Sequence, residues 1–213
     1  THMTRQEKVL EIIKRLYKTN PHPKVELHYK TPFELLVATI LSAQCTDKLV
    51  NTVTPGLFFK YPTIQSFADA TVGDIDSMIT KINFHPSKAK NIHASAEMII
   101  KKYGGKVPQT MEELDALPGV ARKTANVVLA SAFGIASGIV IDTHGIRLSN
   151  KLGLTTNKDP VKIEQDLMKL IPKDKWIDFG NLLTLHGRYV CTARPHTCDH
   201  CPLGDLCPEF FMT

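Results

Sequence analysis

The chain has 213 residues, of which 43% are hydrophobic and 22% charged, with a net charge of 26 − 21 = +5. That is the make-up of a packed globular protein large enough to bury a real core, which excludes a disordered chain and a fold dependent on disulfides. No run of about eighteen apolar residues exists to cross a membrane, and the mild positive charge permits an anionic partner without demanding one.

The polar stretch before Lys8 lacks the apolar segment of a secretory signal, so a cytoplasmic protein is expected. Val9, Ile12, Ile13 and Leu16 follow the i, i+3, i+4, i+7 rule of an amphipathic helix, ended by Asn20-Pro21-His22-Pro23. Thr31-Pro32 pairs an N-cap with proline at the first helical position, and Phe33 to Leu41 predicts a helix buried nearly all round. A helix beginning near Thr46-Asp47 is expected to break at Pro55-Gly56. Short helices are expected around Ile64–Ala70 and Asp74–Ile82, then a longer one from Pro86 to Tyr103, stopped by Gly104-Gly105. Five lysines face one glutamate between Lys81 and Tyr103, which reads as a solvated basic face.

A short acidic helix around Glu112–Ala116 precedes Leu117-Pro118-Gly119, and Arg122 to Phe133 forms another, ended by Gly134. Ile139-Val140-Ile141 is extended but too short for a sheet. Asp159-Pro160 opens a helix to Leu170, and the last helix runs from Asp174 to about Val190. The class is all-α. The cysteine-rich tail has no periodicity, so a metal is expected to organise it.

Four of the five cysteines fall in the last 23 residues, spaced Cys191-x6-Cys198-x2-Cys201-x5-Cys207. Clustered cysteines without a secretion signal point to metal binding. Four thiolates in 17 residues can close around one centre, and the spacing alone accepts either zinc or a [4Fe–4S] cluster. A closed shell of this kind is structural, because it leaves no open position for substrate.

Leu117-Pro118-Gly119 joins two helices by a tight hairpin. The second helix begins with unpaired N–H groups and the positive end of its dipole, which together suit a nucleic-acid phosphate. Arg122 and Lys123 strengthen that reading over an ordinary turn. Asp142-Thr143-His144 follows an apolar run and suits a helix N-cap at Asp142.

These motifs, with Leu41-Ser42-Ala43-Gln44 and Thr46-Asp47 ahead of them, occur in an order that resembles the endonuclease III family. Its members are helix–hairpin–helix DNA glycosylases with an iron–sulfur cluster. The likeness runs from about Arg5 to Pro208. It implies a two-lobed fold: a six-helix barrel lobe over 25–136, and a cluster lobe combining 3–24 with 137–213. The hairpin and Asp142 would then face a common DNA groove.

The resemblance further implies a [4Fe–4S] cofactor on Cys191, Cys198, Cys201 and Cys207. It implies a monomeric repair enzyme that removes oxidised pyrimidines from double-stranded DNA and nicks the strand at abasic sites. Lys123 matches the catalytic lysine, whose neutral amine attacks C1′ of the damaged nucleotide; burial, the helix end and Arg122 are expected to favour that form. Asp142 matches the aspartate that stabilises the developing sugar cation. Gln44 matches the residue that fills the gap left by a flipped nucleotide, and Phe84 stands where an apolar wedge enters. Gly119, Ala121 and Arg122 would hold phosphate, and His144, Arg194 and Lys88 would contact DNA.

Ala121 replaces the usual second hairpin glycine; a positive φ there would cost about 1–2 kcal/mol. Other readings are a pyrimidine-dimer or mismatch glycosylase on the same fold, a non-catalytic DNA-binding module, and a zinc-structured interaction protein. The adenine-specific branch lacks the lysine and usually carries a further domain.

Overall fold

The computed structural model describes residues 2–208; the end of the expected cluster lobe, 209–213, lies outside them. The described residues are helical and contain no strand. Among the described residues no helix is long and apolar enough to cross a membrane. The chain divides into two compact units, Glu26–Ile135 and a discontinuous one formed by the chain up to Val25 with the chain from Ala136 onward.

The continuous unit holds α2 (Pro32–Ser42), α3 (Asp47–Lys60), α4 (Ile64–Asp69), α5 (Val72–Met78), α6 (His85–Lys102), α7 (Met111–Asp115) and α8 (Arg122–Phe133). Threonine N-caps start most of these helices: Thr31, Thr46, Thr63, Thr71 and Thr110 each accept a backbone N–H of the first turn. In α2 every residue from Leu35 to Leu41 is buried, as its apolar run requires. It packs against α3, α6 and α8, while α4 and α5 pack against α6. Phe67 sits among Phe33, Phe58 and Tyr61, with ring centroids 5.2–6.3 Å apart.

The expected break at Pro55-Gly56 does not occur, and α3 runs through both residues. Proline removes one intrahelical hydrogen bond, a cost of about 3 kcal/mol in a helix interior. Val50, Thr54 and Leu57 are buried on either side of it and hold both halves against the unit. Asn51, whose carbonyl loses its usual donor, uses its side chain to bind His28 N and Glu26 O.

The discontinuous unit holds α1 (Arg5–Thr19), α9 (Thr143–Lys151), α10 (Pro160–Leu170) and α11 (Trp176–Tyr189). Val9, Ile12, Ile13 and Leu16 of α1 are buried in one core with Ile139, Ile141, Leu148, Ile163, Leu167 and Phe179. The extended run at Ile139–Ile141 is a core plug, not a strand. The cysteine tail is also tied to this unit by ordinary contacts. Leu203 and Leu206 are buried, and Arg15 Nη1 donates to Pro202 O, Leu203 O and Asp205 Oδ1. A metal is therefore not the tail's sole organiser, as the missing periodicity had suggested.

Candidate functional site

In the continuous unit, α7 and α8 pack around the Leu117-Pro118-Gly119 hairpin, and Val120 N closes the turn on Leu117 O at 3.1 Å. Gly119 has φ +74°, and a Cβ there would lie 2.7 Å from Cβ and Nδ2 of Asn91. Both the backbone and the space demand glycine. Below the turn, Ser95 of α6 donates to Pro118 O at 2.8 Å. Asn91 and Ser95 are thus hairpin supports that sequence reasoning missed; their only signal is the register that turns them toward the unit.

Ala121 adopts φ −89° and ψ 173°, an extended N-cap open to any residue. The strain foreseen for it is absent, because the positive φ belongs to Gly119 alone. Alanine offers no capping oxygen, so the first N–H groups of α8 have no side-chain cap. Arg122 is half-buried, and Lys123 is exposed in the first turn of α8. The expected burial of Lys123 is not found, since the open hairpin leaves it facing solvent.

Gln44 and Phe84 are the two non-glycine residues with positive φ among the described residues, at 56° and 58°. Each costs on the order of 1 kcal/mol or more against an ordinary conformation. Both side chains are exposed, Phe84 by 62%, so Phe84 is not a core residue. Asn83 Nδ2 donates to Gln44 O at 2.9 Å, and Asn83 N meets Cys45 Sγ at 3.3 Å. His85, directly after Phe84, pairs with Asp76 of α5 at 2.5 Å.

Lys88 corrects the sequence reading. It is only 6% exposed, and its Nζ donates to Leu41 O at 2.9 Å and Ala43 O at 2.5 Å. It is a buried brace at the C-terminal end of α2 and has no free ammonium for a DNA phosphate. Burial lowers its pKa below the ordinary lysine value, with the nearby Cys45 acting the other way. The sequence did carry a signal: Lys88, Ile92, Ser95 and Ile99 share the buried stripe of α6. Lys81, Lys90, Lys101 and Lys102 are the exposed lysines of that region.

In the discontinuous unit, Asp142 is the N-cap of α9. Its Oδ1 accepts Gly145 N at 2.7 Å, and its Oδ2 lies 2.8 Å from Thr184 Oγ1 on α11. His144 is half-buried, with Nδ1 3.3 Å from Arg147 Nη2. A Cβ on Gly187 would lie 2.7 Å from His144 Cβ, so glycine lets α11 press against this segment. Arg147 also donates to Gly187 O at 3.1 Å and Cys191 O at 2.6 Å. Thr184 and Arg147 carry no sequence signal, because only tertiary packing brings them to the Asp-Thr-His segment. Arg194 is exposed on a loop closed by its own carbonyl, which accepts from Thr192 and is 2.8 Å from His196 Nδ1.

Cys191, Cys198, Cys201 and Cys207 line one cavity and none is in a disulfide, with Leu148, Leu152 and Leu203 among the cavity's apolar walls. Among the described residues no three of His, Cys, Asp and Glu converge as a single ion's shell would. Nitrogen groups approach the sulfurs: Arg147 Nη1 lies 3.9 Å from Cys191 Sγ, and His186 Nε2 lies 3.8 Å from Cys201 Sγ. Burial raises the Cys191 pKa, against Lys151 and Arg147. Burial, then Arg147 and His196, push the His186 pKa down to about 4. Four thiols on one apolar-walled space with nearby donors fit a four-cysteine cluster. A separate recess lined by Phe33, Phe58, Tyr61 and Phe133 contains none of the predicted site residues.

The family model for HhH-GPD superfamily base excision DNA repair proteins matches residues 37–173. Endonuclease III of Synechocystis sp. is 52% identical over 205 residues, 96% of this chain and 92% of its own length. A structure of a non-covalent endonuclease III–DNA complex superposes with TM-score 0.92 at 40% identity, covering 99% of this chain and 98% of that one. A trapped endonuclease III–DNA covalent intermediate gives the same TM-score and identity, covering 99% of both chains. With matches of this length on both sequence and fold, the chain belongs to the endonuclease III family of HhH-GPD base excision DNA repair proteins.

Proposed function

We propose that the protein is a bifunctional DNA glycosylase and abasic-site lyase of base excision repair, acting as a monomer on double-stranded DNA and removing oxidised pyrimidines. The observation that carries this reading is the near full-length likeness to endonuclease III, which includes a trapped covalent complex with DNA. The exposed lysine on an uncapped helix start supports it from this chain's own residues.

The uncapped N–H groups of α8 receive a backbone phosphate. Exposed Lys123 first gives its ammonium proton to solvent and then attacks C1′ with the amine lone pair; the C1′–base bond breaks with its electrons leaving on the base, which takes up a proton from solvent. Asp142 offsets the positive charge that develops on the sugar. Loss of the amine proton and ring opening give an imine between Nζ and C1′. A proton then leaves C2′, the C3′–O bond breaks, and the 3′ phosphate departs, nicking the strand. Gln44 and Phe84 fill the space left by the extruded nucleotide. Arg122, His144 and exposed Arg194 contribute DNA contacts.

Cys191, Cys198, Cys201 and Cys207 would hold a [4Fe–4S] cluster. Closed by four protein ligands, it supplies a cross-link within the discontinuous unit and no reacting centre.

Borohydride reduction during reaction with an abasic duplex tests the assignment. The wild-type protein is expected to yield a covalent protein–DNA adduct, and Lys123→Gln to abolish both the adduct and nicking. Trapping of Lys123→Gln at the wild-type rate would move the nucleophile to another amine.

A further inference from the structure

The two exposed positive-φ residues, Gln44 and Phe84, stand on loops forty residues apart in sequence, yet hydrogen bonds from Asn83 and Lys88 tie the two segments together. Phe84 is flanked by Asn83, which binds Gln44 O and Cys45 Sγ. On the other side Lys88 N donates to Phe84 O at 3.1 Å, the first hydrogen bond of α6. The same residue's Nζ reaches Ala43 O, directly before Gln44, and Leu41 O. Lys88 therefore holds one loop by its backbone and the other by its side chain.

Its position is otherwise unfavourable. A cation in the first turn of a helix opposes the positive end of the dipole, and a buried ammonium loses its hydration. Among the described residues no carboxylate is bonded to it; backbone carbonyls at the end of α2, where helical acceptors lie unsatisfied, take that place. Plain packing is served as well by methionine or leucine. A buried lysine here is suited to fixing two carbonyls, and those carbonyls fix the loop that carries Gln44.

We propose that Lys88, with Asn83, is a positioning residue that clasps Gln44 and Phe84 into one preformed two-pronged element, which enters the base stack as a unit. The inference rests on the repair-enzyme reading above and deepens it. The ordering cost of two exposed side chains in rare backbone conformations is met before DNA binds, so extrusion does not wait on loop folding.

Two single-turnover rates separate this role from general scaffolding. One is base excision from a duplex carrying a single oxidised pyrimidine, which requires extrusion. The other is nicking of a single-stranded oligonucleotide with a preformed abasic site, which does not. Lys88→Met keeps the buried stem and removes the donors; Asn83→Ala removes the second clasp at an exposed position. Each is expected to lower the ratio of excision to nicking, Lys88→Met by about tenfold or more. The double variant should be little worse than the stronger single one, as expected of parts of one unit.

If Lys88→Met does not fold, Asn83→Ala alone decides the matter. An unchanged ratio, or an equal fall in both rates, overturns the clasp while leaving the enzyme reading intact. Wild-type protein inactive on both substrates overturns the enzyme reading and the clasp with it.

Discussion

Thr184 places its hydroxyl 2.8 Å from Oδ2 of Asp142, while Oδ1 of the same carboxylate caps α9 through Gly145 N. One aspartate thus caps α9 with one oxygen and meets α11 with the other. Asparagine caps a helix as well as aspartate does. Asp142→Asn is therefore expected to change unfolding free energy by less than about 1 kcal/mol. Base release should nevertheless fall by roughly 10²-fold, the scale of losing a charge aimed at a developing cation. Thr184→Val keeps shape and removes the hydroxyl, and should slow base release roughly tenfold, the kinetic equivalent of one hydrogen bond to a charged group. Denaturant unfolding alongside single-turnover excision checks both. A large stability loss in Asp142→Asn with near-normal excision would make Asp142 a cap and nothing more.

Gly119 and Ala121 should respond in opposite ways to exchanging their residue types. Gly119→Ala puts a Cβ 2.7 Å from Asn91 at φ +74°. The backbone strain costs about 1–2 kcal/mol and the overpacking about 1–3 kcal/mol. Ala121 at φ −89° has no strain to relieve. Ala121→Gly should therefore not stabilise the protein, and should lower its stability by up to about 1 kcal/mol through the looser unfolded chain. Thermal or urea denaturation of the two variants measures this directly. A gain in stability for Ala121→Gly would place the strain at the wrong residue.

The hairpin, the first helix and the buried α2 were legible because each is written locally. Threonine caps, proline at N1, glycine beyond a helix end and an i, i+3, i+4 stripe all act over a few residues. What was not legible depends on partners distant in sequence. Lys88 looks like any lysine of a basic face until Leu41 O and Ala43 O appear beside it. Pro55 looks like a helix break until Val50, Thr54 and Leu57 are seen buried on either side of it. Thr184 lies forty-two residues from Asp142 with no motif around it. Even so, the stripe shared by Lys88, Ile92, Ser95 and Ile99 was available. Weighing helical register above residue type would have placed Lys88 inside.

Iron content separates the four tail cysteines from the fifth. Cys191, Cys198, Cys201 and Cys207 line one cavity, whereas Cys45 sits in the other unit beside Asn83. Protein purified without oxygen from iron-replete cells should be brown and contain about four iron atoms per chain. Cys45→Ala should keep both colour and iron, and Cys207→Ala should lose them. Because Arg15 and buried Leu203 and Leu206 also hold the tail, Cys207→Ala should remain folded outside the tail, with a lowered melting temperature. Stoichiometric zinc in place of iron would make the tail a zinc site.

Tyr17 of α1 donates a short hydrogen bond to Asp178 of α11, with Lys175 Nζ 5.5 Å from the ring centroid. Burial, then the bond to Asp178 and the charges of Asp178 and Asp174, raise the phenol pKa well above its ordinary value. The folded state therefore keeps a proton that the unfolded chain releases above about pH 10. The stabilisation is full below that pH and is lost as pH rises toward the folded value. Tyr17→Phe removes the bond and the linkage together. At about pH 8 the variant should be less stable than wild type by about 1 kcal/mol, and the gap should shrink as pH rises past about 10. Other tyrosines, lysines and cysteines titrate in the same window, but they are common to both proteins and cancel in the difference. Urea unfolding of the pair across this range reads the gap directly. A gap that stays constant would mean that Tyr17 titrates alike in the folded and unfolded chains, and that its contact with Asp178 does not depend on the proton.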